Sequence, residues 1–377
     1  MKATVNRRAL LRALMDAKYV AEPGRHTMPI LGNVLLVVVD GALEVCATDL
    51  EVSLLTRLEG CDMEPEAGAV VVPLKALAAV VRACKDAAVT LETLEGERAD
   101  RACWPDPTLV IGGAVKLAGT SADEYPALAG PMDGQPQLEL DAVTLGEALG
   151  SVSYAASSDE SRVNLCGVCL EPGAEAFRVV ACDGPRLAYR EVPIAGAWGE
   201  QGAFILPSRW VAAAERILRE GAAELRFEEG TKGRVELRVP GARLTGRLVD
   251  GEFPNYRNVI PKENGSWAKL EADALRSALE RVLPMTPEKS RGCKWTAEAG
   301  ILRIEANNPD TGEAQAELVA ELQAFPEVIC FNARYVLQAV EASGAERLEL
   351  QARNDKEPMM LLAGAGRPVA VVMPIRL

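Results

Sequence analysis

Apolar and polar positions near the start of the chain repeat with a helical period. The stretch "NRRALLRALMDA" opens on Asn6, whose side chain suits the first free amides of a helix, and stacks Leu10, Leu11 and Leu14 on one side. The segments "DAVTLGEALGSV" from Asp141 and "ADALRSALERVL" from Ala272 carry a similar pattern. A second helical pattern also occurs three times: "VPLKALAAVVRACK" from Val72, "LPSRWVAAAERILR" from Leu206 and "FNARYVLQAVEAS" from Phe331. Between and after these helices lie short β-branched runs such as "ALEVCATDL", "EVSLLTRLE", "AFRVVACD", "GRVELRVPG" and "GILRIEAN". Gly, Asp and Pro punctuate them, as in strands joined by tight turns.

The recurrence holds one register. Lys75, Arg209 and Arg334 are spaced by 134 and then 125 residues, and the same offsets relate Asn33, Gly167 and Gly292, and Asp49, Asp183 and Asn308. Three landmarks on one pair of offsets predict a threefold repeat. Each repeat is α+β, two helices packed on antiparallel sheet. The proline-marked segments "DEYPALAGPMDGQPQ" and "GEFPNYRNVIPKENGS" place the joints near residues 135 and 263, giving domains over 1–135, 136–263 and 264–377.

Composition narrows the chemistry. A hydrophobic share of 49% with 25% charged residues is ordinary for a globular chain, and no apolar run reaches the length of a membrane span. The N-terminus lacks an apolar signal core, and nine cysteines without paired spacing suit a reducing cytoplasm. A single histidine, His26, limits nucleophilic triads, and no P-loop or dinucleotide-binding glycine fingerprint is present. Cys166 and Cys169 form a CxxC, but a zinc site needs about two further ligands at matching spacing. An enzyme using Cys166, Cys169 and His26 stays open as a minor alternative. No metal, cofactor or catalytic residue is expected.

The formal net charge of −13 argues against a protein that simply coats nucleic acid, yet the cations are not scattered. Lys75, Arg82 and Lys85 project within about 80° of one another on the second helix, and Arg209, Arg216 and Arg219 take the same register one repeat on. Arg8 and Arg12, at i and i+4, share a face of the first helix. Such residues either cover an ordinary exposed helix face or offer a basic strip to a phosphate backbone. In the third repeat Glu341 and Gly344 follow Arg334 at the equivalent positions, so its strip is weak.

The stretches "MPILGNVLL", "ATDLE", "ACDGPRLA", "LVDGEFPNYRNVIP", "IEANNP", "FNARYVLQAV" and "VVMPIRL" resemble the β subunit of bacterial DNA polymerase III, the β sliding clamp family, in that family's order. The resemblance implies a DNA clamp fold of three repeated domains that closes, as a homodimer, into a six-domain ring. Helices would line the hole around duplex DNA, and strands would continue across the subunit boundary. The implied function is a processivity factor in DNA replication, a non-catalytic and cytoplasmic accessory subunit that tethers polymerase, clamp loader and repair factors through short linear motifs. A scaffold of the same fold that does not encircle DNA is the alternative.

Carried over residue by residue, DNA contact falls on Arg8, Arg12, Arg25, Lys75, Arg82, Arg209 and Arg216. One subsite of a peptide-binding groove falls on Leu165, Cys182, Gly184, Pro185, Arg186, Leu187, Pro254, Asn258 and Val259, with Val371, Met373 and Arg376 beside them. The other falls on Asn332, Tyr335, Met373, Pro374 and Ile375, with Leu377 at the end of the tail. Val282 and Leu283 match the family's subunit boundary. Pro185 stands where members usually carry a polar residue, often histidine, and Asn258 where arginine is common.

Overall fold

The computed structural model describes residues 1–21, 28–59, 62–63, 68–94, 107–194, 202–228, 233–262, 265–364 and 369–376. Among them six α-helices recur in pairs: α1 (Arg7–Ala17) and α2 (Leu74–Ala83), α3 (Ala142–Ser153) and α4 (Ser208–Ile217), α5 (Ala272–Val282) and α6 (Ala333–Ser343). Asn33, Gly167 and Gly292, on one pair of offsets, each begin a strand. The landmark Asp49, Asp183 and Asn308 side chains each accept from a backbone amide two or three residues on, closing the same kind of turn in every repeat.

Local chemistry sets the helix ends. Asn6 accepts from the amides of Arg8 and Ala9 at 3.0 and 3.1 Å, and Asn332 accepts from those of Arg334 and Tyr335 at 3.0 and 3.2 Å. Asp141 does the same for Thr144 at 2.9 Å. On α1 the buried side is Leu10, Ala13, Leu14 and Ala17, while Leu11 is only half-buried. Helices α2 and α4 end before Lys85 and Arg219, so those two cations leave the helical register expected of them.

Two compact units make up the chain, Met1–Gly146 with Arg209–Leu248, and Glu147–Ser208 with Val249–Leu377, so the division runs through the second repeat. The first unit holds an eight-stranded antiparallel sheet shared by two repeats. Val52–Leu58 of the first repeat pairs with Ala242–Arg247 of the second, Leu54 opposite Leu244. It also holds a five-stranded sheet whose last strand, Val115–Ala118, is an open edge. The second unit repeats the device: in a nine-stranded sheet Arg186–Pro193 of the second repeat pairs with Val369–Val372 of the third. A four-stranded sheet there ends on the edge strand Gly312–Val319.

The first joint is strapped down within its unit. Arg226, Arg234 and Arg238 donate to the carbonyls of Gly134, Gly130 and Met132 at 3.2, 2.9 and 2.7 Å. Glu236, fully buried between Arg226 and Arg238, accepts from the Met132 amide at 3.0 Å. A buried carboxylate needs such partners, because an unpaired one is strongly destabilising.

Helix α4 is seated by Trp210, which is fully buried against Gly246 of the paired strand. A Cβ on Gly246 would lie 2.4 Å from the indole Cδ1. Gly246→Ala should therefore overpack the site and lower stability by about 1–3 kcal/mol. Thermal unfolding beside Gly202→Ala, where a Cβ meets nothing, measures this; an unchanged melting temperature would show that Trp210 shifts freely.

Candidate nucleic-acid face and partner groove

The predicted DNA contacts within the described residues all lie in the first unit. Arg8 and Arg12 are exposed on α1, and Lys75 and Arg82 on α2, which packs against α1. Arg82 Nη2 donates to Met15 Sδ at 3.3 Å, joining the two helices. On the other flank the Arg216 guanidinium lies 4.4 Å from the centre of the Tyr19 ring just after α1. Arg219 donates to both carboxylate oxygens of buried Asp16 at 2.7 and 3.0 Å. Burial pushes the Asp16 carboxyl up, and Arg219 pulls it back. The cations of α2, α1 and α4 therefore form one continuous face.

Arg209 departs from that pattern. Its Nη1 lies 2.8 Å from Asp49 Oδ2, an almost wholly buried carboxylate, so much of its charge serves an ion pair joining two repeats. Arg8 and Lys75 have no ion-pair partner among the described residues, and Arg12, likewise without one, lies close enough to Asp16 to favour its ionised form. Arg25 and His26 lie outside the described residues.

The groove residues collect in the second unit. Leu187 and Val371 face each other across the seam between the second and third repeats. With Cys169, Val180, Tyr256 and Met360 they form a small apolar cluster separate from the main core, and Cys182 packs partly exposed at its rim. Leu165 is buried nearby, in a single 3-10 turn, Val163–Leu165. The opposing lip is the stretch holding Pro254, Asn258 and Val259, all exposed. Its anchor is Tyr256, whose hydroxyl donates to Glu171 at 3.1 Å, while Arg257 pairs with the same carboxylate. Asn164 Nδ2 holds the Glu252 carbonyl at 3.0 Å.

The tail crosses from one repeat to the other. The Met373 amide donates to the Pro185 carbonyl at 2.8 Å and the Ile375 amide to the Cys330 carbonyl at 2.9 Å. Met373, Pro374 and Ile375 are thus pinned half-buried, and Arg376 is exposed. Leu377 lies outside the described residues. Met side chains suit a surface that must accept differing peptides.

Two groove residues serve first as architecture. Arg186 donates from Nε to Asp183 at 2.9 Å, from Nη1 to Gln338, and its guanidinium lies between the rings of Tyr154 and Tyr335, 5.4 and 4.4 Å from their centres. Asn332, besides capping α6, donates from Nδ2 to the Ser290 carbonyl at 3.0 Å. They position Tyr335 rather than offer free hydrogen bonds. Gly184, at φ 103°, lets Arg162 approach; a Cβ there would sit 3.2 Å from Arg162 Nη1.

Arg162 and Val163 join the site without any signal in the sequence pattern, where the neighbouring CxxC is the more conspicuous feature. Arg162 Nη1 donates to the Asp183 carbonyl at 3.0 Å, and Val163 is 56% exposed, a large apolar residue without cover. The two cysteines are ordinary packing groups. Cys166 donates to the Asp159 carbonyl at 3.1 Å, and burial pushes the Cys169 thiol up to about 12, away from a reactive thiolate. Val282 differs from its expected place at a subunit boundary: it is fully buried in the main core of the third repeat, and only Leu283 beside it is partly exposed.

Three successive parts of the chain match the DNA polymerase III beta subunit: its N-terminal domain over residues 1–129, its central domain over 139–255 and its C-terminal domain over 257–376. The chain belongs to the DNA polymerase III β-subunit family. The beta sliding clamp of Escherichia coli K12 is 32% identical and that of Caulobacter vibrioides NA1000 is 31% identical, each alignment covering 100% of both chains. Among solved structures, the DNA polymerase III subunit beta of Bartonella birtlesii bound to griselimycin superposes with a TM-score of 0.85 at 27% identity, over 100% of both chains. A Pseudomonas aeruginosa sliding clamp bound to the same compound gives 0.84 at 27% identity, again with full coverage of both. The β-subunit assignment carries the α+β clamp fold and the function: a DNA polymerase processivity factor, and an accessory subunit rather than an enzyme.

Proposed function

We propose that two copies of this chain close into a ring around duplex DNA and tether replication and repair proteins through the groove of the second unit. The domains are those of 1–135, 136–263 and 264–377, and the site of action is the cytoplasm. The observation that carries the reading is the continuous basic face of α1, α2 and α4 in a chain of net charge −13. An acidic protein that concentrates its cations on neighbouring helices holds phosphates there while its remaining surface repels stray nucleic acid. No helix among the described residues is long and apolar enough to cross a membrane.

Two open edges support the subunit contact. Val115–Ala118 ends one sheet and Gly312–Val319 ends another, each with unpaired backbone groups on one side. Pairing the edge of one copy with that of the next would continue the sheet, and two such heterologous contacts close a ring. Leu283 is the residue to test, since charging Val282 would disrupt the core instead. Sedimentation equilibrium should give a dimer at micromolar concentration, and Leu283→Asp should give a folded monomer. A strict monomer before substitution would sink the ring and favour a scaffold that never encircles DNA.

A further inference from the structure

The two seams between repeats share one strand arrangement and differ in the ion pairs laid across them. At the first, Asp49 Oδ1 accepts from the Val52 amide at 2.6 Å, and Oδ2 lies 2.8 Å from Arg209 Nη1 of the next repeat. At the second seam Asp183 is the register mate of Asp49, 134 residues on, and Arg334 that of Arg209, 125 residues on. Asp183 Oδ1 repeats the turn, accepting from the Arg186 amide at 3.1 Å. Its Oδ2, however, accepts from Nε of the same Arg186 at 2.9 Å. Arg334 is left exposed, with no ion-pair partner among the described residues. The first seam has no such competitor, because the mate of Arg186 there is Val52, a buried apolar residue. Asp183, Arg186 and Arg334 line one depression of about 400 Å³, so two guanidiniums stand beside a single carboxylate. The other ionic tie of the first seam, Asp16 with Arg219, has no counterpart either: the mates are Gly150 and Gly344.

We propose that Asp183 exchanges Arg186 for Arg334, a latch across the second seam that is open in this structure and stiffens the seam when it closes. The closed state copies Asp49 with Arg209, a geometry the same fold already holds at the first seam. Exchange costs little, because the carboxylate is paired in both states. Arg186 keeps Gln338 and the rings of Tyr154 and Tyr335 when it lets go, and Arg334, when free, is solvated. Two states of nearly equal free energy make a bistable element. Stiffness follows from position: Arg334 opens α6 of the third repeat and Asp183 closes a turn of the second, so their pair resists rotation about the strands both repeats share. With Arg334 free, that restraint is missing. The latch does not depend on what occupies the groove.

The test is a double-mutant cycle on the unfolding equilibrium of the full chain at low salt, combining Asp183→Asn with Arg334→Ala. The same cycle with Asp49→Asn and Arg209→Ala calibrates a closed latch and should give a coupling of about tenfold. In the unaltered protein the coupling of Asp183 with Arg334 should be about threefold, as for a pair made part of the time, and should shrink as salt rises. It should climb to about tenfold with Arg186→Val, which copies the first seam. Arg186→Met, which keeps an apolar side chain between the two rings, should do the same and serves where the valine variant does not fold. A crystal structure of either variant should place Arg334 within ion-pair reach of Asp183. Absence of coupling in the unaltered protein would mean that the seam stays open. An unchanged coupling after Arg186 is replaced would mean that the two guanidiniums do not compete. Either result overturns the proposal.

Discussion

Deleting Met373–Leu377 should abolish binding of a peptide that carries a glutamine and spaced leucine and phenylalanine, and Met373→Ala alone should weaken it tenfold or more. The tail supplies a wall held at Pro185 and Cys330, and the floor beneath includes Leu187 and Val371. Two apolar anchors buried there are worth about 1.5–3 kcal/mol each, and ordering the peptide offsets part of that, which sets a micromolar scale. The substitution Met373→Ala keeps both backbone bonds, so thermal stability should hardly move. Deletion removes them at about 1 kcal/mol each, and the truncated protein should remain a dimer. Titration of the peptide against all three proteins measures the effect. Equal affinity for the truncated dimer would place the groove elsewhere.

Reversing Arg8, Arg12, Lys75 and Arg82 together to glutamate should remove most electrostatic hold on DNA without altering sequence preference. Every phosphate that is no longer neutralised lowers the slope of log affinity against log salt by about 0.9, so the four together should flatten it by about 3 to 4. Arg209 is left out because its reversal would strand the buried Asp49 carboxylate. The unaltered protein should persist on nicked circles and leave linear DNA quickly, since a ring escapes only over an end. Dissociation from both substrates at one rate would reduce the interaction to ordinary surface binding.

Much of this was legible in the residues because it is local. Helix period, the cap at Asn6, and the recurring side chains at Asp49, Asp183 and Asn308 all act within a few positions of themselves. Their offsets therefore expose the repeat. The seams were not legible: nothing in the alternation of Val52–Leu58 says that its partner is Ala242–Arg247. The roles of Arg186 and Arg209 were hidden for a similar reason. Each carries the charge expected of a ligand contact, yet its partners include side chains from distant elements. Lys85 and Arg219 fit the helical wheel, but their helices end first. The groove came from family resemblance, since by pattern alone "VVMPIRL" is simply a docked terminal strand.

Because the sheets straddle the repeats, the cooperative piece of this protein is not the repeat. A fragment cut after residue 135 would expose the edge of Val52–Leu58 that pairs with the second repeat, and one beginning at residue 264 would bare the corresponding edge of Val369–Val372. Such edges template self-pairing and precipitation. Calorimetric transitions and protease-resistant cores should follow the sheets, with the second repeat melting in two portions rather than as a body of its own.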